Sequence, residues 1–150
     1  IKIYIRDALR EIERDQFHGA EIYDFISRYD PVLRKKLTEF SICGLIRQFS
    51  NAVYLGRSMF SKTGNAERLQ IHDLVVQSLK EHEFPLKTKE IKESIKKHRY
   101  VEEKYQINAK EPVKLIGKGY FGLTEWNAKI VDGKLSFTIP GKDTQIFKLD

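Results

Sequence analysis

Asp73 with Glu90-Ile91-Lys92 has the residue types of the Asp…Glu-x-Lys set with which metal-dependent nucleases hold Mg²⁺ through carboxylates. Asp73 falls inside an expected helix and Glu90 at the start of another, so no strand pair presents the two together. Ser94-Ile95-Lys96-Lys97 and Lys62-Thr63-Gly64 echo the Ser-x-x-Lys and Lys-Thr-Gly elements of serine acyl-transfer sites. Here they run in reversed order, without a Ser-Asp-Asn partner, in a chain of 150 residues that is too short for that fold. Gly117-Lys118-Gly119 lacks the Ser or Thr that follows Lys in a phosphate-binding loop. His18, His72, His82 and His98 show no metal-ligand spacing with one another or with Cys43, and read as surface or core histidines. Cys43, the single cysteine, sits among Phe40, Ile42, Leu45 and Ile46 and reads as a small buried hydrophobe in a reducing compartment. No enzyme activity, catalytic residue, metal site or cofactor is expected.

The chemistry left is binding by charge. The net charge is +6, and it is unevenly spread. Residues 87–118 hold ten Lys/Arg against five Asp/Glu, whereas residues 119–150 balance. A basic stretch of this kind is the electrostatic footprint of a polyanion binder. Any single lysine in it reads more readily as part of a solvated face, so the expectation rests on the patch as a whole. With 41% hydrophobic and 32% charged residues, four Pro and nine Gly, the composition is that of an ordinary globular chain of one or two domains. Ile1 opens the chain and Met59 is its one methionine, so part of a longer protein is expected. No apolar run approaches the ~18 residues of a membrane span, and no signal-peptide pattern is present. No membrane partner is expected, and the expected location is the cytoplasm or nucleus, with a bacterial cytoplasm favoured.

Two passes of one pattern must position these charges. In the second, Ile71, Leu74, Val75, Ser78 and Leu79 form a helical stripe ending near His82. Phe84-Pro85-Leu86 cannot continue it. Thr88 offers an N-cap for a helix through Ile91, Ser94 and Ile95, with Glu90 near its start. Tyr100, Val101, Tyr105 and Ile107 suggest a third short helix, and Val113–Ile116 with Tyr120–Leu123 flank Gly117-Lys118-Gly119 as a hairpin. In the first pass Ile3, Ile5, Ala8, Leu9 and Ile12 predict a helix, broken at Phe17-His18-Gly19-Ala20. Ile22, Phe25 and Ile26 predict a second, ending at Asp30-Pro31. Leu37, Phe40, Ile42, Leu45, Ile46 and Phe49 predict a third over 37–49, and Val53–Phe60 a hairpin with Gly56 at its turn. The order helix, short extended piece, helix, helix, hairpin is the layout of a winged helix. The fold class is therefore α+β, mostly helical: two tandem winged-helix units, 1–65 and 66–126. Ser61 to Asn65 is the linker, and a C-terminal β-hairpin over 127–150 follows, with Asp132-Gly133 at its turn.

Leu115-Ile116-Gly117-Lys118-Gly119-Tyr120-Phe121-Gly122-Leu123-Thr124-Glu125-Trp126 resembles the closing wing of the HARE-HTH family, which includes the amino-terminal domain of the bacterial RNA polymerase delta subunit. Leu86 to Ile95 resembles that family's second helix, and the likeness covers residues 71–126. It implies a role in transcription, chromatin or restriction, through DNA or through protein contacts. Phe121 and Trp126 are expected to be core residues that clamp the wing to the helices.

In a helix-turn-helix fold the third helix enters the major groove while the wing and helix ends meet phosphates. Double-stranded DNA is thus the expected partner. The second unit would use Lys96, Lys97 and Arg99 before its third helix, Lys104 and Gln106 on it, and Lys114 and Lys118 on the wing. The first would use Lys35 and Lys36 before its third helix, Arg47 and Gln48 at its end, and Arg57 and Lys62 at or after the wing. Glu102 and Glu103 oppose close phosphate approach on one side of the second unit. Two readings compete with this one. The fold could instead dock on RNA polymerase or another assembly, or could target an enzyme whose catalytic domain lies outside residues 1–150.

Overall fold

Apolar residues three and four apart give each helix one buried stripe, and the breaks between stripes set the element order. The computed structural model describes residues 1–64 and 67–149. Among them are six α-helices and three small antiparallel sheets, an α+β architecture with 41% helix and 22% strand. The chain forms two units, Ile1–Leu69 with His98–Tyr100, and Gln70–Lys97 with Val101–Asp150. The expected boundary at residues 65 and 66, and with it the end of the expected linker at Asn65, lies outside the described residues.

The first unit runs α1 (Lys2–Glu11), β1 (Gln16–His18), α2 (Gly19–Tyr29), α3 (Pro31–Arg34), α4 (Glu39–Phe49), β2 (Val53–Gly56) and β3 (Met59–Ser61). Its sheet has the order β1-β3-β2, with Phe17 opposite Phe60 and their rings stacked at 5.4 Å. Ile5, Ala8, Ile22, Phe25, Ile26, Ile42 and Ile46 close the core over these rings. His18 caps α2 by accepting the Ala20 N–H at 2.9 Å, and Glu21 accepts the His18 N–H in return, which satisfies two orphan amides at once. Pro31 ends α2 as expected, but it also opens the one-turn helix α3, capped by Asp30. Helix α4 starts at Glu39 because Thr38 caps the Ser41 N–H. Phe40 lies 89% exposed rather than in the core stripe. Cys43 is half-buried, and its sulfur would stand 2.8 Å from a Cβ placed at Gly19, so α4 rests directly on the start of α2.

The second unit follows the same order without a helix between its second helix and its hairpin: α5 (Ile71–His82), β4 (Leu86–Lys87), α6 (Thr88–Lys96), β5 (Val113–Gly117) and β6 (Tyr120–Leu123). Its sheet order β4-β6-β5 matches the first, with Leu86 opposite Phe121 as Phe17 is opposite Phe60. Both hairpins shift register at a glycine, Gly56 and Gly117. Each then turns through two residues of positive φ, Arg57-Ser58 and Lys118-Gly119, the geometry that matches strand twist. The first hairpin thus turns at Arg57-Ser58, one residue beyond the expected Gly56. Phe121 and Trp126 are buried. A Cβ at Gly122 would lie 3.2 Å from the Trp126 ring and 2.8 Å from Ile116, which explains a glycine between two apolar residues there.

The C-terminal hairpin gains a third strand. β7 (Lys129–Val131), β8 (Lys134–Phe137) and β9 (Gln145–Lys148) form a sheet of that order. Phe137 packs near Trp126 and meets Phe84 edge-on at 5.3 Å, so this sheet is part of the second unit.

A third helix over Tyr100–Ile107 is not found. No helix lies between α6 and β5 among the described residues. Val101 and Ile107 are buried as two separate anchors. The carbonyl oxygen of Glu103, which a helix would pair with an amide four residues on, instead accepts the Lys92 ammonium at 2.6 Å. Lys104 and Gln106 therefore stand on an exposed loop.

Candidate nucleic-acid interface

Helix α4 turns Ile42 and Ile46 into the core, which leaves Arg47 and Gln48 exposed on its last turn. The Arg47 guanidinium lies over the Tyr54 ring, 5.3 Å from its centroid, a cation–π contact that orients it. The Tyr54 hydroxyl accepts the Ser58 N–H at 3.3 Å. One chain of contacts thus runs from the end of α4 through β2 to the turn that carries exposed Arg57. Lys35 and Lys36 are exposed in the turn before α4. Eleven residues of helix span about 16 Å, so cations stand at both ends of α4. Between them Gly44 faces open space, with nothing within 4 Å of an added Cβ.

Lys62 departs from its expected role. Its ammonium donates to the Leu9 carbonyl oxygen at 2.6 Å and to that of Ile12, so it closes the end of α1. Burial pushes its pKa down, and the charge of Arg14 adds to this. Beside it, Asp15 pins the chain after β3, accepting from the Ser61 hydroxyl at 2.7 Å and the Thr63 N–H at 2.8 Å. Burial raises the Asp15 carboxyl, but these hydrogen bonds outweigh it and hold the group below its ordinary value.

The second unit's cations do not gather. Lys96 pairs with the Glu103 carboxylate at 2.6 Å. Arg99 is half-buried and belongs to the first unit, where it donates to the carbonyl oxygens of Leu69 and Tyr100 at 2.8 and 2.7 Å. Lys97 is exposed after α6, Lys114 is half-buried on β5, and Lys118 is exposed at the hairpin turn. The Lys96-Lys97-Arg99 run is thus divided among an ion pair, a free end and an internal contact.

Sequence reasoning missed Lys2, which lines an open hollow with Gln48 and Asn51 beside the end of α4. Nothing in its local sequence points there, since the contact is long-range. It also missed Lys89 and Lys92, whose spacing with Lys96 places all three on one helical face, a signal the sequence does carry. No group of three His, Cys, Asp or Glu is placed to hold a metal ion among the described residues. No helix there is long and apolar enough to cross a membrane. Comparison with protein-family models, with curated proteins and with solved structures gives no match.

Proposed function

We propose that the chain is a tandem of winged-helix units that binds double-stranded DNA, with the first unit as the reader. The reading rests on one observation: at the end of α4 Arg47 lies over Tyr54, whose hydroxyl accepts the Ser58 N–H in the turn that carries Arg57, while exposed Lys35 and Lys36 precede the helix. In this arrangement α4 enters the major groove, the hairpin turn meets the backbone, and Gln48 is the base-edge candidate. Gly44 supports it. A glycine inside an exposed helix costs about 1 kcal/mol, and no packing constraint requires one here. Its lack of a side chain lets a partner approach the helix backbone. The Leu115–Trp126 signature resembling HARE-HTH domains supports a role in transcription, chromatin or restriction.

The test is a duplex titration at two salt concentrations with the full chain and its Arg47→Glu/Arg57→Glu variant. We expect affinity to fall at least tenfold and the salt slope to drop by about two phosphate contacts. Unchanged affinity and slope would remove DNA from this face.

A second reading is favoured by Phe40, 89% exposed at the start of α4, with Tyr29 and Val32 also exposed in the preceding elements. Large exposed apolar side chains suit protein docking. Loss of a protein partner in Phe40→Ser, with DNA affinity retained, would favour that reading.

A further inference from the structure

Along one face of α6 lies a hollow of about 380 Å³, lined by Thr88, Lys89, Lys92, Glu93, Lys96 and Glu103. Lys89, Lys92 and Lys96 stand at i, i+3 and i+7, so their side chains share that face. Lys92 is only 9% exposed, and its ammonium donates to the carbonyl oxygen of Glu103 rather than to a carboxylate. A buried ammonium is costly without a counter-charge. Glu103 supplies that counter-charge: Lys96 holds its carboxylate at 2.6 Å, and that hydrogen bond, with the charges of Lys96 and Lys92, keeps the carboxyl below its ordinary range. Glu103 nevertheless reaches in from a loop with its side chain 84% exposed. It is a tethered, water-facing anion seated on a lysine cradle. The hollow's other end is the first turn of α6, where Glu90 accepts the Lys87 N–H at 3.2 Å.

We propose that this hollow is a phosphate-group site, in which a phosphate displaces the Glu103 carboxylate from Lys96 and is held by Lys89, Lys92 and Lys96. A phosphate monoester brings nearly two charges and three acceptor oxygens, where the carboxylate brings one charge. Glu103 is the internal competitor that keeps the cradle filled when no phosphate is present. The phosphodiester backbone of a nucleic acid offers the same kind of phosphoryl oxygen to the lysines, with one charge where a free phosphate compound brings nearly two.

The test uses the full chain, titrated at constant ionic strength with inorganic phosphate and, separately, with a short DNA duplex, with chloride as the control salt. Backbone amide and lysine ammonium NMR signals of residues 88–105 are followed. Glu103→Gln and Lys89→Gln change exposed side chains and leave buried Lys92 in place. We expect saturable shifts with inorganic phosphate, absent with chloride. Glu103→Gln should tighten binding about two- to fivefold, the scale of an exposed ion pair, and Lys89→Gln should weaken it. Shifts at the same residues with the duplex assign the site to the nucleic-acid backbone, and shifts with inorganic phosphate alone assign it to a small phosphate compound. Absence of saturable shifts, equal shifts with chloride, or no tightening in Glu103→Gln would overturn the proposal. None of these outcomes depends on the first unit, so the DNA reading stands or falls separately.

Discussion

The two units share a sheet order and a hairpin turn, yet they use the chain between second helix and hairpin differently. In the first, residues 30–52 provide twenty-three residues, enough for α3, α4 and their connections. In the second, residues 97–112 provide sixteen, and no helix forms there. The shorter stretch is tied down by lysines instead, with Lys92 and Lys96 both holding Glu103. The bracing lysines stand on α6, where the matching positions of α2 carry Tyr23 and Ser27, so the two units draw their exposed and their internal cations from different elements.

Core truncation gives the largest effect that separates the units. Phe60→Ala should cost about 3–5 kcal/mol and act on the first unit, and Trp126→Ala a similar amount on the second. Urea unfolding followed by residue-resolved NMR checks this, and loss of the same residues in both variants would break the division. Glycine substitutions should then differ in sign. Gly122→Ala should destabilise the second unit by about 1–3 kcal/mol, because Trp126 and Ile116 fill the space, while Gly44→Ala should stabilise the first by about 1 kcal/mol. Ser61 follows Phe60 as Gly122 follows Phe121, and it keeps a side chain because its hydroxyl bonds Asp15 there. Thermal melts of the two variants decide the signs. The smallest effect concerns acid. The folded state holds the Asp15 carboxyl below its unfolded value, so its contribution is complete above about pH 4 and is lost as pH falls through the folded value. Asp15→Asn should cost about 1–2 kcal/mol at neutral pH and flatten the acid slope of the first unit. An unchanged slope in acid melts would contradict the hydrogen-bond account.

Elements marked by local chemistry were legible. The α5 stripe, Pro31 after α2, and Asp132-Gly133 between β7 and β8 each appear where short-range spacing puts them. Residues bound across long stretches of sequence were not. Lys62 reaches Leu9 and Ile12 some fifty residues away, and Arg99 reaches Leu69, so both read as free surface cations until the chain is folded. The expected helix over Tyr100–Ile107 failed for a related reason: its apolar residues are real anchors, but a tertiary hydrogen bond to the Glu103 carbonyl competes with helical pairing. β9 escaped notice because Gln145-Ile146-Phe147-Lys148 shows no alternation of apolar and polar residues, and the contact of Phe147 with Phe84 is long-range. Of the candidate interface, Arg47, Gln48, Arg57, Lys35 and Lys36 were visible from their positions relative to α4, while the Arg47–Tyr54 contact that joins them was not.

The most direct measurement is a map of backbone amide shifts across the full chain as a short DNA duplex is added. The account predicts shifts concentrated at Lys35, Lys36, Gly44 to Gln48 and Arg57 at low duplex concentration, ahead of any in the second unit. Shifts appearing first at Lys97, Lys114 and Lys118, or none on α4 at saturation, would contradict the assignment of the first unit as the reader.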